Sequence, residues 1–131
     1  MTTTPATAAA ELADAITALD IERARGLLHP QVDFRAMTPN RIWEADGPAG
    51  VEEVLRTWLA DPDEDIVSAQ ATDGQIVVED TARVGWTVRG SGPDGPFVFE
   101  QQAYVREEDG QITWLRIMCS GTRPAPADAA G

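Results

Sequence analysis

The sequence predicts an α+β fold in which three N-terminal helices pack on a long, curved, mainly antiparallel sheet. Three observations carry that reading. Apolar residues recur at helical spacing through the N-terminal half, and residues 65 to 119 hold stretches rich in Val, Ile, Thr, Phe and Trp. Three Asp-Gly pairs, Asp73-Gly74, Asp94-Gly95 and Asp109-Gly110, then divide that region into four strands joined by hairpins.

The elements follow in order. Thr4-Pro5 supplies an N-cap and a proline at the first helical position, after which Ala9, Leu12, Ala13, Ile16 and Leu19 form one face. Asp20 caps a second, short helix with Ile21, Ala24, Leu27 and Leu28 on one side, and Pro30 pushes its predecessor out of helix. His29, at that helix end, is read as a group that meets the last carbonyls and the negative end of the dipole. Val32, Phe34 and Ala36 alternate with Asp33 and Arg35, as a strand requires, and a short extended piece surrounds Ile42-Trp43. Gly47-Pro48 opens the third helix, whose Val51, Val54, Leu55, Trp58 and Leu59 make a stripe suited to a core. Residues 8–123 are expected to form one domain, with 1–7 flexible and the tail 124–131, poor in large apolar groups, disordered.

Composition removes several classes of function. A formal charge of −12 repels phosphate backbones, so no nucleic-acid partner is expected. No apolar run approaches the roughly 18 residues of a membrane span, and MTTTPATAAA lacks the layout of a signal peptide, so a cytoplasmic protein with no membrane partner is expected. Cys119 is the single cysteine, and no His or Cys cluster has ligand spacing, which argues against a metal. Every basic residue is Arg and Ala is abundant, a pattern of high-GC bacterial genomes.

Three stretches resemble one superfamily: ALDIERARGLLHPQVDF at the helix-to-strand entry, GPAGVEEVLRTWL, and the closing hairpin QQAYVREEDGQITWLRIMCSG. Together they are similar to the SnoaL-like branch of the nuclear transport factor 2-like superfamily, relatives of polyketide cyclases and ketosteroid isomerase, and the ending is similar to actinobacterial members. The resemblance implies a cone whose helices and curved sheet enclose an apolar pocket for a small apolar organic ligand. It also implies a homodimer formed through the sheet, and chemistry without a cofactor. The isomerase pattern, laid on this chain, puts its phenol at Leu12, its base at Ala36 and its neutral acid at Gln102, so none of those three groups recurs. The paired histidines of the superfamily's dehydratases do not recur either, since His29 is alone.

The strand FVFEQQAYV, residues 97 to 105, spends its centre on polar groups. On the resemblance Gln102 faces the pocket, and period-two alternation puts Glu100 and Tyr104 beside it. A two-residue Asp109-Gly110 turn sets Glu100 opposite Cys119 and Gln102 opposite Ile117. Glu100 would then be a desolvated acid or base and Gln102 would orient a carbonyl or hydroxyl, in a pocket lined by Leu12, Phe34, Ala36, Trp58, Trp86, Tyr104, Leu115, Ile117 and Cys119. The expected activity is an isomerase, cyclase or dehydratase working by proton transfer; the alternative is a non-catalytic binding or dimerisation module. A strand bulge would invert the facing of this hairpin.

Overall fold

In the computed structural model, which describes residues 7–72 and 76–125, three helices lie on the inner face of an eight-stranded mixed sheet. Helix α1 (Thr7–Thr17) stops in a Schellman arrangement. Leu19 takes the left-handed conformation (φ 57°), its N–H donates to the Ile16 carbonyl, and the Asp20 N–H donates to that of Ala15. Leu19 therefore leaves the helical face expected of it and stands exposed. The Thr4-Pro5 start lies outside the described residues. Asp20 caps α2 (Ile21–Gly26), its Oδ1 accepting from Arg23 N at 3.0 Å.

Strand β1 (Leu28–Thr38) begins earlier than the alternation of Val32, Phe34 and Ala36 indicates. His29 belongs to it, and the ring nitrogen Nδ1 accepts from the Gln31 N–H at 3.0 Å, so the expected helix-capping role is replaced by a local turn contact. β2 (Arg41–Asp46) pairs antiparallel with β1, and α3 (Pro48–Leu59) starts at Gly47-Pro48 with Val51, Val54, Leu55 and Leu59 buried. The 65–119 region contains five strands where hairpin spacing indicated four: β3 (Asp65–Ala71), β4 (Ile76–Val78), β5 (Thr81–Gly92), β6 (Gly95–Glu108) and β7 (Gln111–Cys119). The Asp73-Gly74 turn lies outside the described residues. β8 (Arg123–Pro124) pairs with β6 at Val98 and Phe97, so the segment expected as a disordered tail begins on a paired proline.

The spatial order is β2-β1-β7-β6-β5-β3, with β4 on β5 and β8 on β6. The β1–β7 pair is parallel, and the remaining pairs are antiparallel. Phe34, Trp86, Val88, Phe99, Leu115 and Ile117 on the inner face meet Leu12, Ile16, Val51 and Leu55 of the helices in one core.

The hairpin of β6 and β7 sets the register that matters for the site. Asp109 (φ 52°) and Gly110 (φ 81°) form the expected two-residue turn, with Glu108 opposite Gln111 and Glu107 opposite Ile112. The next pair is Arg106 with Trp114, so Thr113 is the extra residue of a β-bulge. Beyond it Gln101 faces Cys119, Gln102 faces Met118 and Ala103 faces Ile117. One inserted residue exchanges the faces of β6 relative to β7. Phe97, Phe99, Gln101, Ala103 and Val105 point into the core, and Glu100, Gln102 and Tyr104 point out.

The outer face carries Arg35, Arg83, Arg89, Arg106 and Arg116, half of the chain's ten arginines, on a protein of net charge −12. Arg106 and Arg116 both stack on Trp114, at 4.2 and 4.5 Å from its ring centre, and Arg116 pairs with Asp33 at 3.2 Å. Ile42, Met37 and Met118 form an exposed apolar row across three neighbouring strands of the same face.

Candidate functional site

A cavity of about 430 Å³ lies at one end of the inner sheet face. The last turn of α3 contributes Thr57 and Trp58, and the loop after it Asp61 and Glu64. β1 and its turn supply Thr38 and Pro39, β6 supplies Phe99 and Gln101, and the end of β7 with the following loop supplies Cys119, Gly121 and Thr122. Its size suits a small organic molecule. Gly121 (φ 85°) makes the last wall possible, because a Cβ there would come within 2.6 Å of Pro39 Cγ.

Gln101 is the buried polar group of the cavity, only 1% exposed. Its partner is Trp86, directly opposite on β5, whose Nε1 donates to Gln101 Oε1 at 2.8 Å. An indole nitrogen can only donate, so this bond fixes the amide orientation. The Gln101 NH₂ is left for the cavity, with no hydrogen-bond partner among the described residues.

Trp58 contributes an aromatic ring to the wall. It is held by ring contacts with Trp43 (5.7 Å, edge to face) and Phe34 (6.4 Å), and its Nε1 is buried without a hydrogen-bond partner among the described residues. Trp43, by contrast, donates its own N–H to Thr38 Oγ1 at 2.8 Å. Buried donors without acceptors are uncommon in folded proteins, and each costs the protein its lost solvation.

Two acids complete the lining. Asp61 turns the chain after α3, its Oδ1 accepting from Asp63 N at 2.8 Å. The Glu64 carboxyl is raised above its ordinary pKa, first by desolvation and then by repulsion from Asp61 and Asp63. The cavity thus joins an amide donor in its wall to two carboxyl groups, one of them with a raised pKa. Cys119 also lines it, its sulfur accepting from the Gly121 N–H at 3.4 Å.

The residues proposed from the sequence are distributed unevenly. Trp58 and Cys119 line the cavity. Leu12, Phe34, Ala36, Trp86, Leu115 and Ile117 are packed in the core and do not reach its lining. Glu100, Gln102 and Tyr104 lie on the opposite face, and the Thr113 bulge is the physical reason. Glu100 is exposed opposite Thr87, its main chain tied to Ser120 through N–H to Oγ at 2.9 Å. Gln102 lies against Gly85 and Met118, and Tyr104 sits between Arg83 and Arg116. Gln101, Phe99, Thr38, Asp61 and Glu64 are among the lining groups that sequence reasoning missed. The apolar odd-numbered positions Phe97, Phe99, Ala103 and Val105 were the signal for Gln101, since a residue alternating with them shares their face. No group of three or more His, Cys, Asp or Glu arranged to hold a metal occurs among the described residues.

Comparison with known proteins agrees with this architecture. Residues 9–115 match the family model described as a SnoaL-like domain. A candidate SnoaL-like polyketide cyclase from Mesorhizobium loti superposes with a TM-score of 0.68 at 12% identity, over 88% of this chain and 98% of that one. A candidate isomerase from Rhodopseudomonas palustris gives a TM-score of 0.64 at 17% identity, covering 92% and 93%. A protein of ketosteroid isomerase-like fold from Catenulispora acidiphila, solved in complex with trimethylamine, gives 0.66 at 14% identity, covering 87% and 85%. At these identities the likeness is one of fold. No curated protein matches the chain in sequence.

Proposed function

The chain belongs to the SnoaL-like domain family, and from that premise we propose that it binds a small, largely apolar organic molecule bearing a hydrogen-bond-accepting oxygen. The observation that carries this is Gln101: a side chain 1% exposed whose oxygen is committed to Trp86 and whose NH₂ is left to the cavity. A carbonyl or hydroxyl oxygen supplies the acceptor that this donor lacks. The neighbour that holds trimethylamine supports a small organic occupant. The test uses cyclohexanone as probe and the side-chain NMR resonances of Gln101 and Trp58 as reporters. Saturable shifts of the Gln101 NH₂ signals, abolished in Gln101→Leu, are expected; unmoved signals would remove the reading.

Glu64 favours a catalytic form of the same proposal, a cofactor-independent isomerase, cyclase or dehydratase. Its carboxyl lines the cavity and its raised pKa suits proton transfer to and from a carbon next to a carbonyl held at Gln101. This role replaces the one expected of Glu100, whose side chain is on the far face of the sheet. Exchange of the α-protons of a bound ketone into heavy water, lost in Glu64→Gln while binding persists, is the expected signature. Binding without enhanced exchange in the unaltered protein would leave the non-catalytic form.

A homodimer through the outer sheet face and a cytoplasmic location belong to the same proposal. The exposed row of Ile42, Met37 and Met118 supports the first, because apolar side chains on adjacent strands can be covered by the same row of a second copy. Met118→Glu should convert a dimer into a monomer in sedimentation analysis, and a monomeric unaltered protein would end that part of the proposal. The unpaired Cys119 agrees with a reducing compartment.

A further inference from the structure

The charged groups lining the cavity have one sign. Asp61 and Glu64 are both acids, and no Arg or His is among the lining residues. The basic side chains are elsewhere: five arginines are on the outer sheet face, Arg25 and Arg56 bind Glu52, and Arg41 stacks on Trp43 at 3.4 Å. Arg123 borders a smaller recess that shares Glu64 and Thr122 with the main cavity, without an ion pair to either of the two lining acids among the described residues. In addition, the two acids follow the C-terminus of α3, where the helix dipole presents its negative end.

Aromatic surface lies beside these acids. Trp58 and Phe99 are lining residues, and the faces of such rings attract organic cations. Gln101 independently points to a ligand, as a side chain 1% exposed whose NH₂ meets the cavity and has no protein acceptor among the described residues. Its requirement is for an oxygen, while the acids and rings select for positive charge.

We infer that the cavity takes an organic cation that also carries an acceptor oxygen, such as an amino ketone or an amine-bearing amide, and discriminates against carboxylates. The oxygen is received by Gln101, and the ammonium group by Asp61 and Glu64 against the aromatic wall. This inference rests on the pocket reading proposed above and adds the charge class of the ligand. An anionic ligand of the same shape meets two acids and no base among the lining residues, so it must lose affinity to the repulsion that draws a cation in.

The experiment compares three probes of one shape: cyclohexanone, and the cyclohexanones bearing a dimethylamino or a carboxyl group on the carbon opposite the ketone. Affinities are read from the Gln101 side-chain NMR signals of the full chain at neutral pH. The amine is expected to bind roughly fivefold or more tighter than cyclohexanone, as one or two partly exposed ion pairs allow, and the carboxylate weakest of the three. The advantage of the amine should shrink with added salt and disappear in the double variant Asp61→Asn, Glu64→Gln, while cyclohexanone keeps its affinity. Both substitutions preserve side-chain shape, and Asp61→Asn keeps a side-chain oxygen to accept the bond from Asp63 N. Equal affinity for all three probes would overturn the inference and leave the pocket reading intact. Binding of none of them, in a chain that retains its native NMR spectrum, would overturn both.

Discussion

Trp86 and Gln101 form a buried cross-strand pair, opposite each other on β5 and β6, with Nε1 to Oε1 at 2.8 Å and exposures of 0% and 1%. The pair joins stability to function, because the bond that satisfies the indole also sets which end of the amide is left for the cavity. Gln101→Leu keeps the bulk and removes the acceptor, leaving the Trp86 N–H buried and unpaired. A loss of about 1–3 kcal/mol in urea unfolding is expected. Trp86→Phe added to Gln101→Leu removes the orphaned donor, so the double variant should lose less than the sum of the two single variants. Strict additivity would mean that the pair is not coupled.

Glu100→Gln tests the strand facing directly. With Glu100 exposed on the outer face, the variant should match the unaltered protein within about 0.5 kcal/mol of stability and bind cavity probes equally well. A large loss of ligand affinity would mean that Glu100 reaches the cavity and that the bulge at Thr113 is misplaced.

That bulge also marks the limit of what the sequence reveals. The α3 stripe, the Asp20 cap and the Asp109-Gly110 turn rest on local spacing and backbone preference, and the structure contains all three. On β7, period two identified Leu115, Ile117 and Cys119 as one face, because alternation holds within a strand. Matching that face to one on β6 depended on counting residues through the hairpin, and Thr113 carries no residue signature that distinguishes a bulged threonine from a paired one. The parallel contact of β1 with β7 was likewise invisible, since it joins residues far apart in the chain. Asp61 and Glu64 read as ordinary loop acids, and only the fold brings them to the same cavity as Gln101.

Gly90 is where the sheet admits no side chain. A Cβ there would stand 2.4 Å from the Asp65 carbonyl oxygen and 2.8 Å from Phe97 Cζ, and the first of these is backbone that cannot swing aside. Gly90→Ala should therefore cost about 1–3 kcal/mol or more through forced movement of β3 and the Phe97 ring. Gly26 is the control: it ends α2 with nothing within 4 Å of an added Cβ, and Gly26→Ala should be neutral or stabilise by up to about 1 kcal/mol. Equal effects of the two substitutions would contradict the packing described at Gly90.

Two glutamates give the stability of this protein opposite dependences on pH. Glu52 bridges α2 and α3, and its pKa is lowered by hydrogen bonds from Arg56 and then Arg25, followed by their charges. A carboxyl with a lowered folded-state pKa binds fewer protons folded than unfolded, so its contribution is present above the unfolded value and is lost as pH falls through the folded one. Glu64 is the reverse case. Desolvation and the neighbouring Asp61 and Asp63 raise its pKa, so the folded state holds the proton more tightly, and that contribution is present at low pH and lost as pH rises through the folded value. Thermal unfolding followed from acid to neutral pH separates the two. Relative to the unaltered protein, Glu52→Gln should lose stability at neutral pH and converge with it in acid. Glu64→Gln should be at least as stable at neutral pH, with its relative advantage fading as the solution is acidified below the ordinary glutamate range. Adding salt should shrink the Glu52 effect more than the Glu64 effect, since exposed ion pairs are screened and desolvation is not. Parallel pH profiles for Glu64→Gln and the unaltered protein would show that its carboxyl is solvated, and would also remove it from the proton-transfer role proposed at the cavity.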